Sequence, residues 1–297
     1  MGLRVSILGA AAGGGLPQWN CGCDNCNLAR AGEIPAQTQS SIAVTGGDGW
    51  ALINASPDIR QQLGQTPVLH PRTKRDTSIR SVLLTNGDID HVAGLLTLRE
   101  QQPFVLFATR EIHAVLSDNP IFDALRDGVV RREIIALDTP FELVGGIEAT
   151  LYAVPGKVPL YLEGEVVQTD LEGEQTVGVA LKTVDRTAHY IPGCALLKDD
   201  LKARLDGADA VFFDGTLWQD DEMIQAGLSQ KTGARMGHMS MDGPDGSMAA
   251  FDGMDVGRKV YVHMNNTNPV LRPGSAEKQA AEAAGWTIAQ DGMEIEI

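Results

Sequence analysis

The chain has 297 residues, 43% of them apolar, and a formal net charge of −15, enough length to bury a large core without disulfide support. That acidity repels phosphate backbones and excludes nucleic acid as a main partner. No run approaches the roughly 20 apolar residues of a membrane span, and the N-terminal apolar run is too short for a secretory signal, so a cytoplasmic protein with no membrane contact is expected.

Short apolar runs broken by Gly, Pro, Asn and Asp define the predicted elements. A first strand covers 5–9. It runs into Gly9-Ala10-Ala11-Ala12-Gly13-Gly14-Gly15, which lacks the spacing of a dinucleotide fingerprint and continues into Leu16-Pro17 rather than a helix. Strands over 41–44 and 50–54 flank Gly46-Gly47-Asp48-Gly49, a hairpin signal. A helix over 57–62 follows, then strands at 79–84 and 104–108 with a helix over 90–101 between them. In the second half, strands are expected at 146–153, 177–184, 188–192, 210–214 and 259–263. Helices are expected at 196–205, 246–251 and 274–284, and a closing strand at 286–289. Strands outnumber helices without strict alternation, so two mixed sheets packed face to face, with helices outside, are expected in one domain over 1–297.

Three of the four cysteines, Cys21, Cys23 and Cys26, crowd into six residues, and only Cys194 lies elsewhere. Such neighbours make a poor disulfide framework but a good thiolate zinc site, in an N-terminal loop over 13–30; unmetallated thiols are the bland alternative. The strand at 79–84 ends in Thr85-Asn86-Gly87-Asp88-Ile89-Asp90-His91. Asp88, Asp90 and His91 suit a divalent cation, but an Asp helix cap beside a surface histidine fits the same spacing. His263 ends the strand at 259–263, where a buried structural histidine is the alternative.

The metal turn resembles the H-x-H-x-D-H motif of the metallo-β-lactamase superfamily, with Asn86 and Asp88 in place of the first two histidines and Asp90 and His91 matching. His263 resembles that superfamily's last metal-binding histidine. Joined to the cysteine triplet, Asn54-Ala55-Ser56-Pro57-Asp58-Ile59-Arg60, Phe213-Asp214-Gly215-Thr216-Leu217-Trp218 and Gly237-His238-Met239-Ser240-Met241 resemble the pyrroloquinoline quinone (PQQ) biosynthesis protein B family over essentially the whole chain. The resemblance implies an α/β, αββα sandwich and a role in making PQQ from a ribosomal precursor peptide. Its partners would be that peptide or a Glu-Tyr-derived fragment, PQQ or a late intermediate, and other PQQ biosynthesis proteins. A homodimer is one assembly left open.

By the same resemblance, Cys21, Cys23 and Cys26 hold structural Zn2+. Their fourth ligand would fall at Asn266, a poor zinc ligand, so that position stays open. The active-site metal, expected to be Fe(II), would be held by Asp90, His91 and His263 with help from Asp88. His238 would shuttle a proton, and Asp214 would bind or orient; purely structural roles for both remain open. The pattern departs from the two-metal hydrolases at Asn86 and Asp88, in 154–159, which has no histidine, and at Cys194 where a bridging carboxylate is usual. Two imidazoles and a carboxylate match the ligand set of non-haem Fe(II) oxygenases. The leading expectation is therefore Fe(II)- and O2-dependent hydroxylation of the tyrosine-derived ring. A non-enzymatic carrier taking PQQ or its precursor toward the periplasm and a residual metal-dependent hydrolase are the rivals. His70, His113 and His189 lack such company and read as ordinary.

Overall fold

In the computed structural model, which describes residues 2–297, fourteen strands form two seven-stranded sheets. The first half of the chain supplies β1 (Arg4–Gly9), β2 (Ser41–Thr45), β3 (Trp50–Ile53), β4 (Ile79–Leu83), β5 (Phe104–Ala108) and β6 (Val130–Ile134). The second half supplies β7 (Phe141–Val144), β8 (Ile147–Ala153), β9 (Val177–Lys182), β10 (Thr187–Ile191), β11 (Ala210–Asp214), β12 (Lys259–Val262) and β13 (Trp286–Ile288). β14 (Glu294–Glu296) then returns to the first sheet and pairs with β1.

The strand orders are β14-β1-β2-β3-β4-β5-β6 and β13-β12-β11-β10-β9-β8-β7. Each sheet is antiparallel toward one edge and parallel toward the other, with β3 to β6 and β10 to β13 running parallel. Side chains on a strand alternate between faces, and both faces of the first sheet are buried. Val5, Ile7, Ile42, Val44, Ala51, Ile53 and Leu83 pack in one core cluster with Leu151, Val179 and Leu181 of the second sheet. Their alternates Leu8, Ala43, Leu52, Val82 and Leu84 pack in another with Ile59, Ile112 and Leu116 from the covering helices. The result is the expected αββα sandwich. No helix among the described residues is long and apolar enough to cross a membrane.

Two segment readings are corrected, and several elements went unread. The helix expected at 90–101 is a short α-helix, Ile89–Val92, followed by a 3-10 turn, Ala93–Leu96. The chain there is drawn onto the loop after β3, where Gly94 N–H donates to Ala55 O and a Cβ on Gly94 would lie 2.1 Å from Ser56 O. The strand β13 does not close the fold, since β14 follows it; with one buried apolar residue, Ile295, β14 leaves little pattern to read. The helix Asp24–Ala31 is largely polar and escaped notice inside the cysteine loop, as did Arg110–Ser117, capped by the Thr109 side chain. β6 and β7 were also unread.

Chemistry-bearing side chains gather at the carboxyl ends of the parallel strands, where open α/β sheets place their ligands. Asn54 follows β3, the turn with Asp90 and His91 follows β4, Asp214 ends β11, and His263 follows β12. β3 lies beside β4, and Asp214 pairs with Val262, so the four ends come together two by two.

Candidate metal centre

The turn after β4 is locked by its neighbour. Asn54 adopts left-handed backbone, φ 65°, which Asn tolerates better than most residues. From there its Oδ1 accepts Thr85 N–H at 2.9 Å, and its Nδ2 donates to Thr85 Oγ1 at 2.9 Å. One residue on, Asn86 Oδ1 accepts from Asp88 N–H at 3.0 Å and from His91 Nδ1–H at 2.7 Å. Asn86 therefore fixes the ring and tautomer of His91 instead of merely being absent as a ligand. Burial drives the His91 imidazole down to about 4, against the opposing pull of Asp90, so it is neutral near pH 7. Its Nε2 is buried and has no hydrogen-bond partner, a lone pair left for a cation.

His263 closes the group from the other sheet. It is a left-handed non-glycine residue, φ 59°, a conformation that costs about 1 kcal/mol or more and must be held by its surroundings. The flanking chain supplies that support: Met264 N–H donates to Ala10 O, and Thr216 Oγ1 lies 3.0 Å from His263 O. His263 Nε2 stands 3.1 Å from Asp90 Oδ2, and His91 Nε2 stands 3.7 Å from the same oxygen. The three ligand atoms lie within 4.8 Å of one another. Burial alone would raise the Asp90 carboxyl, but His91 and His263 hold it far below the usual carboxylate range. Burial would lower His263, and Asp90 outweighs it, raising it above its usual value.

Asp214, fully buried, lies behind this group. His238 Nδ1–H donates to Asp214 Oδ2 at 2.7 Å, Cys194 N–H donates to the same oxygen, and Thr216 Oγ1–H donates to Oδ1 at 2.6 Å. Burial opposes the charge on Asp214, but His238, His263 and Thr216 keep its carboxyl below the usual range. Thr216 Oγ1 also lies 2.9 Å from His263 Nδ1, so one hydroxyl joins Asp214 to a candidate ligand. The rings of His238 and His263 stack at 5.3 Å. Asp214, His238 and His263 form a second close group that shares His263 with the first.

Both groups face a cavity of about 310 Å3. Asp88 lines this cavity but does not join the close Asp90, His91 and His263 group. Its carboxyl is raised first by burial and then by Asp90. Cys194 is buried away from the cavity lining, its thiol raised by burial and by Asp214. His70 and His113 bond backbone carbonyls and His189 bonds Tyr152, all outside these groups.

The Sγ atoms of Cys21, Cys23 and Cys26 also lie within 4.8 Å of one another. The terminal nitrogen of the Asn266 carboxamide is 3.2, 3.5 and 3.3 Å from the three sulfurs in that order. An amide group thus covers the fourth side, the position left open by the sequence, and turning it about its terminal bond presents oxygen to the sulfurs. Burial, more than the neighbouring thiols, pushes Cys26 up to about 11; a bound cation would reverse that by ionising the thiols outright. Asn25 braces the same turn by donating to Asn266 O and Asn268 O, both at 2.9 Å.

The fold and paired donor groups define a class, and residues 49–264 match the family model for the beta-lactamase superfamily domain. Coenzyme PQQ synthesis protein B from Ruegeria pomeroyi is 58% identical over 294 residues, covering 99% of each chain. The protein of that name from Rhizobium meliloti is 54% identical over 298 residues, covering 99% of this chain and 98% of the relative. The crystal structure of Zn2+-bound PqqB from Methylobacterium extorquens matches with a TM-score of 0.97 at 54% identity, covering 99% of this chain and 100% of that one. This chain belongs to the coenzyme PQQ synthesis protein B family. A diphosphatase from the PhnP family, 18% identical with a TM-score of 0.71 over 100% of this chain and 98% of its own, shares the fold.

Sequence reading had missed Thr216, Asn54 and the orienting role of Asn86. Thr216 lies two residues after the buried Asp214, yet a lone threonine carries no signal of its own. Asn54 offered one, an Asn closing an apolar run, where left-handed backbone is common.

Proposed function

We propose that this chain acts in PQQ biosynthesis as an Fe(II)- and O2-dependent hydroxylase of the tyrosine-derived ring of the precursor peptide or its Glu-Tyr fragment. The convergence of two imidazoles and one carboxylate on an open cavity carries this reading. The fit to a cation rests on the buried, partnerless Nε2 of His91 and on its neutral state. Asp90, His91 and His263 would hold the iron, and the three cysteines with Asn266 would hold structural zinc. Fe(II) in such a set supplies the one-electron chemistry that lets O2 react with a phenol.

The protein's own contribution is positioning and proton management. Asn86 fixes His91, and Thr216 fixes His263. His238, anchored to Asp214 through Nδ1, has its other ring nitrogen free to take a proton from the phenol. In balance, a ring C–H becomes C–OH, the second oxygen atom leaves as water, and an added reductant supplies two electrons while solvent supplies two protons.

The test is anaerobic reconstitution with Fe(II), followed by 18O2, reductant and a glutamyl-tyrosine peptide. Product carrying one 18O atom, absent from His263→Ala, is the expected result. Tight binding of the peptide or of PQQ without 18O incorporation would refute hydroxylation and favour a carrier. Phosphodiester turnover lost in His91→Ala would favour a hydrolase.

A further inference from the structure

The same cavity carries charge that the metal group does not use. Across the chain, Lys and Arg are outnumbered by Asp and Glu 24 to 39, yet among the cavity-lining residues three cations face three carboxylates. The cations are Lys157, Lys231 and Arg235, and the carboxylates are Asp88, Asp90 and Glu163. Asp90 is committed to the two imidazoles.

Glu163 is shared by two cations. Lys157 Nζ lies 3.0 Å from its Oε1, and Arg235 Nη2 donates to its Oε2 at 2.9 Å. The Lys157 and Glu163 side chains are 13% and 8% exposed, so the ion pair is poorly screened. Two cations on one carboxylate leave a net positive charge. Lys231 adds another, with no ion pair or side-chain hydrogen bond to any described residue, and Asp88 offsets only part of the total.

Apolar surface adjoins this charge. Leu160, Tyr161 and Leu162, on the segment between Lys157 and Glu163, are 58%, 44% and 51% exposed. Tyr161 Oη–H donates to Gly87 O at 2.6 Å, which ties that segment to the metal turn. Arg235 lies three residues before His238, with Gly237 in left-handed backbone making the turn between them. The cations are therefore linked to both donor groups through short stretches of chain.

We infer that Lys157, Lys231 and Arg235 form a carboxylate-binding subsite for an aromatic substrate that carries free carboxylates, holding those groups while the ring lies toward Asp90, His91 and His263. Glu163 is a positioning residue that holds Lys157 and Arg235 beside each other. The ligand class rests on the function proposed above, whose glutamyl-tyrosine substrate is such a molecule. The subsite itself is defined by binding, so it can stand or fall separately.

Binding to the Fe(II)-loaded protein is measured by anaerobic titration calorimetry with three probes. These are glutamyl-tyrosine, glutaminyl-tyrosinamide, which lacks both carboxylates, and phenyl phosphate. Wild-type protein should prefer the dicarboxylate, and Lys231→Met should weaken it about tenfold while leaving the amide within about twofold. Arg235→Met should act in the same direction; metal content and Tm of both variants confirm an intact fold. Equal affinity of the wild-type protein for dipeptide and amide would overturn the subsite, as would equal weakening of both by Lys231→Met or tighter binding of phenyl phosphate. Selective binding without oxygenated product keeps the subsite and removes the hydroxylase. Oxygenated product with an unchanged KM in Lys231→Met does the reverse.

Discussion

The two donor clusters are built on opposite plans, although residues from a single turn serve both. The cysteine cluster is closed: three sulfurs converge, Asn266 covers them, and Asn25 pins the turn from below. The histidine cluster is open, with Asp90, His91 and His263 on one side of a cavity. A closed set holds a cation for stability, whereas an open set leaves positions for substrate. His263 and Asn266, three residues apart, bind the two plans together.

Replacement in the closed cluster should have the largest effect. Cys23→Ser should cost roughly 3 kcal/mol or more, read as a lower Tm together with lost zinc. A variant that keeps its Tm would show that the cluster does not support the fold. His263→Ala should leave Tm within a few degrees and remove a labile metal from the open cluster while tight zinc remains. Equal loss of folding in the two variants would erase the division between them. Asn86→Ala should lower metal affinity of the open cluster about 10- to 100-fold, because His91 loses the acceptor that orients it. Unchanged affinity would mean packing alone holds that ring.

The smallest expected effect is on pH dependence. Burial would raise the Glu163 carboxyl, but Arg235 and Lys157 hold it at about 2, below the ordinary 4.5. A group depressed on folding stabilises fully above its unfolded value, and that gain is lost as pH falls through 4.5 toward 2. Glu163→Gln should therefore destabilise by roughly 1 kcal/mol at pH 7 and by much less near pH 3. Denaturant midpoints at the two values provide the check, and a gap that is the same at both would sink the assignment.

What could be read in advance tracks how local each signal is. Cys21, Cys23 and Cys26 sit within six residues, so their spacing alone marked them, whereas Asp90 and His91, though adjacent, fitted a helix cap equally well until the family resemblance was added. His263 needed a family resemblance, because a lone histidine at a strand end is ambiguous. Strands β1 to β4 were visible as short apolar runs, whereas β14 and the polar helix Asp24–Ala31 had too few buried residues to show a pattern. Thr216 touching Asp214, His238 and His263, and Glu163 joining Lys157 to Arg235, exist only once distant strands and loops meet. Asn86 was read as a lost ligand, and only three dimensions showed it holding the His91 ring.

The cover that Asn266 places over the cysteines also orders events during synthesis. The thiols leave the ribosome early, but the residue that caps them is made some 240 positions later. A cation caught by the nascent loop would stay exchangeable until the turn at 263–268 folds back upon it. The same fold-back carries His263 to Asp90, so the thiols are covered and the histidine cluster is completed in a single event.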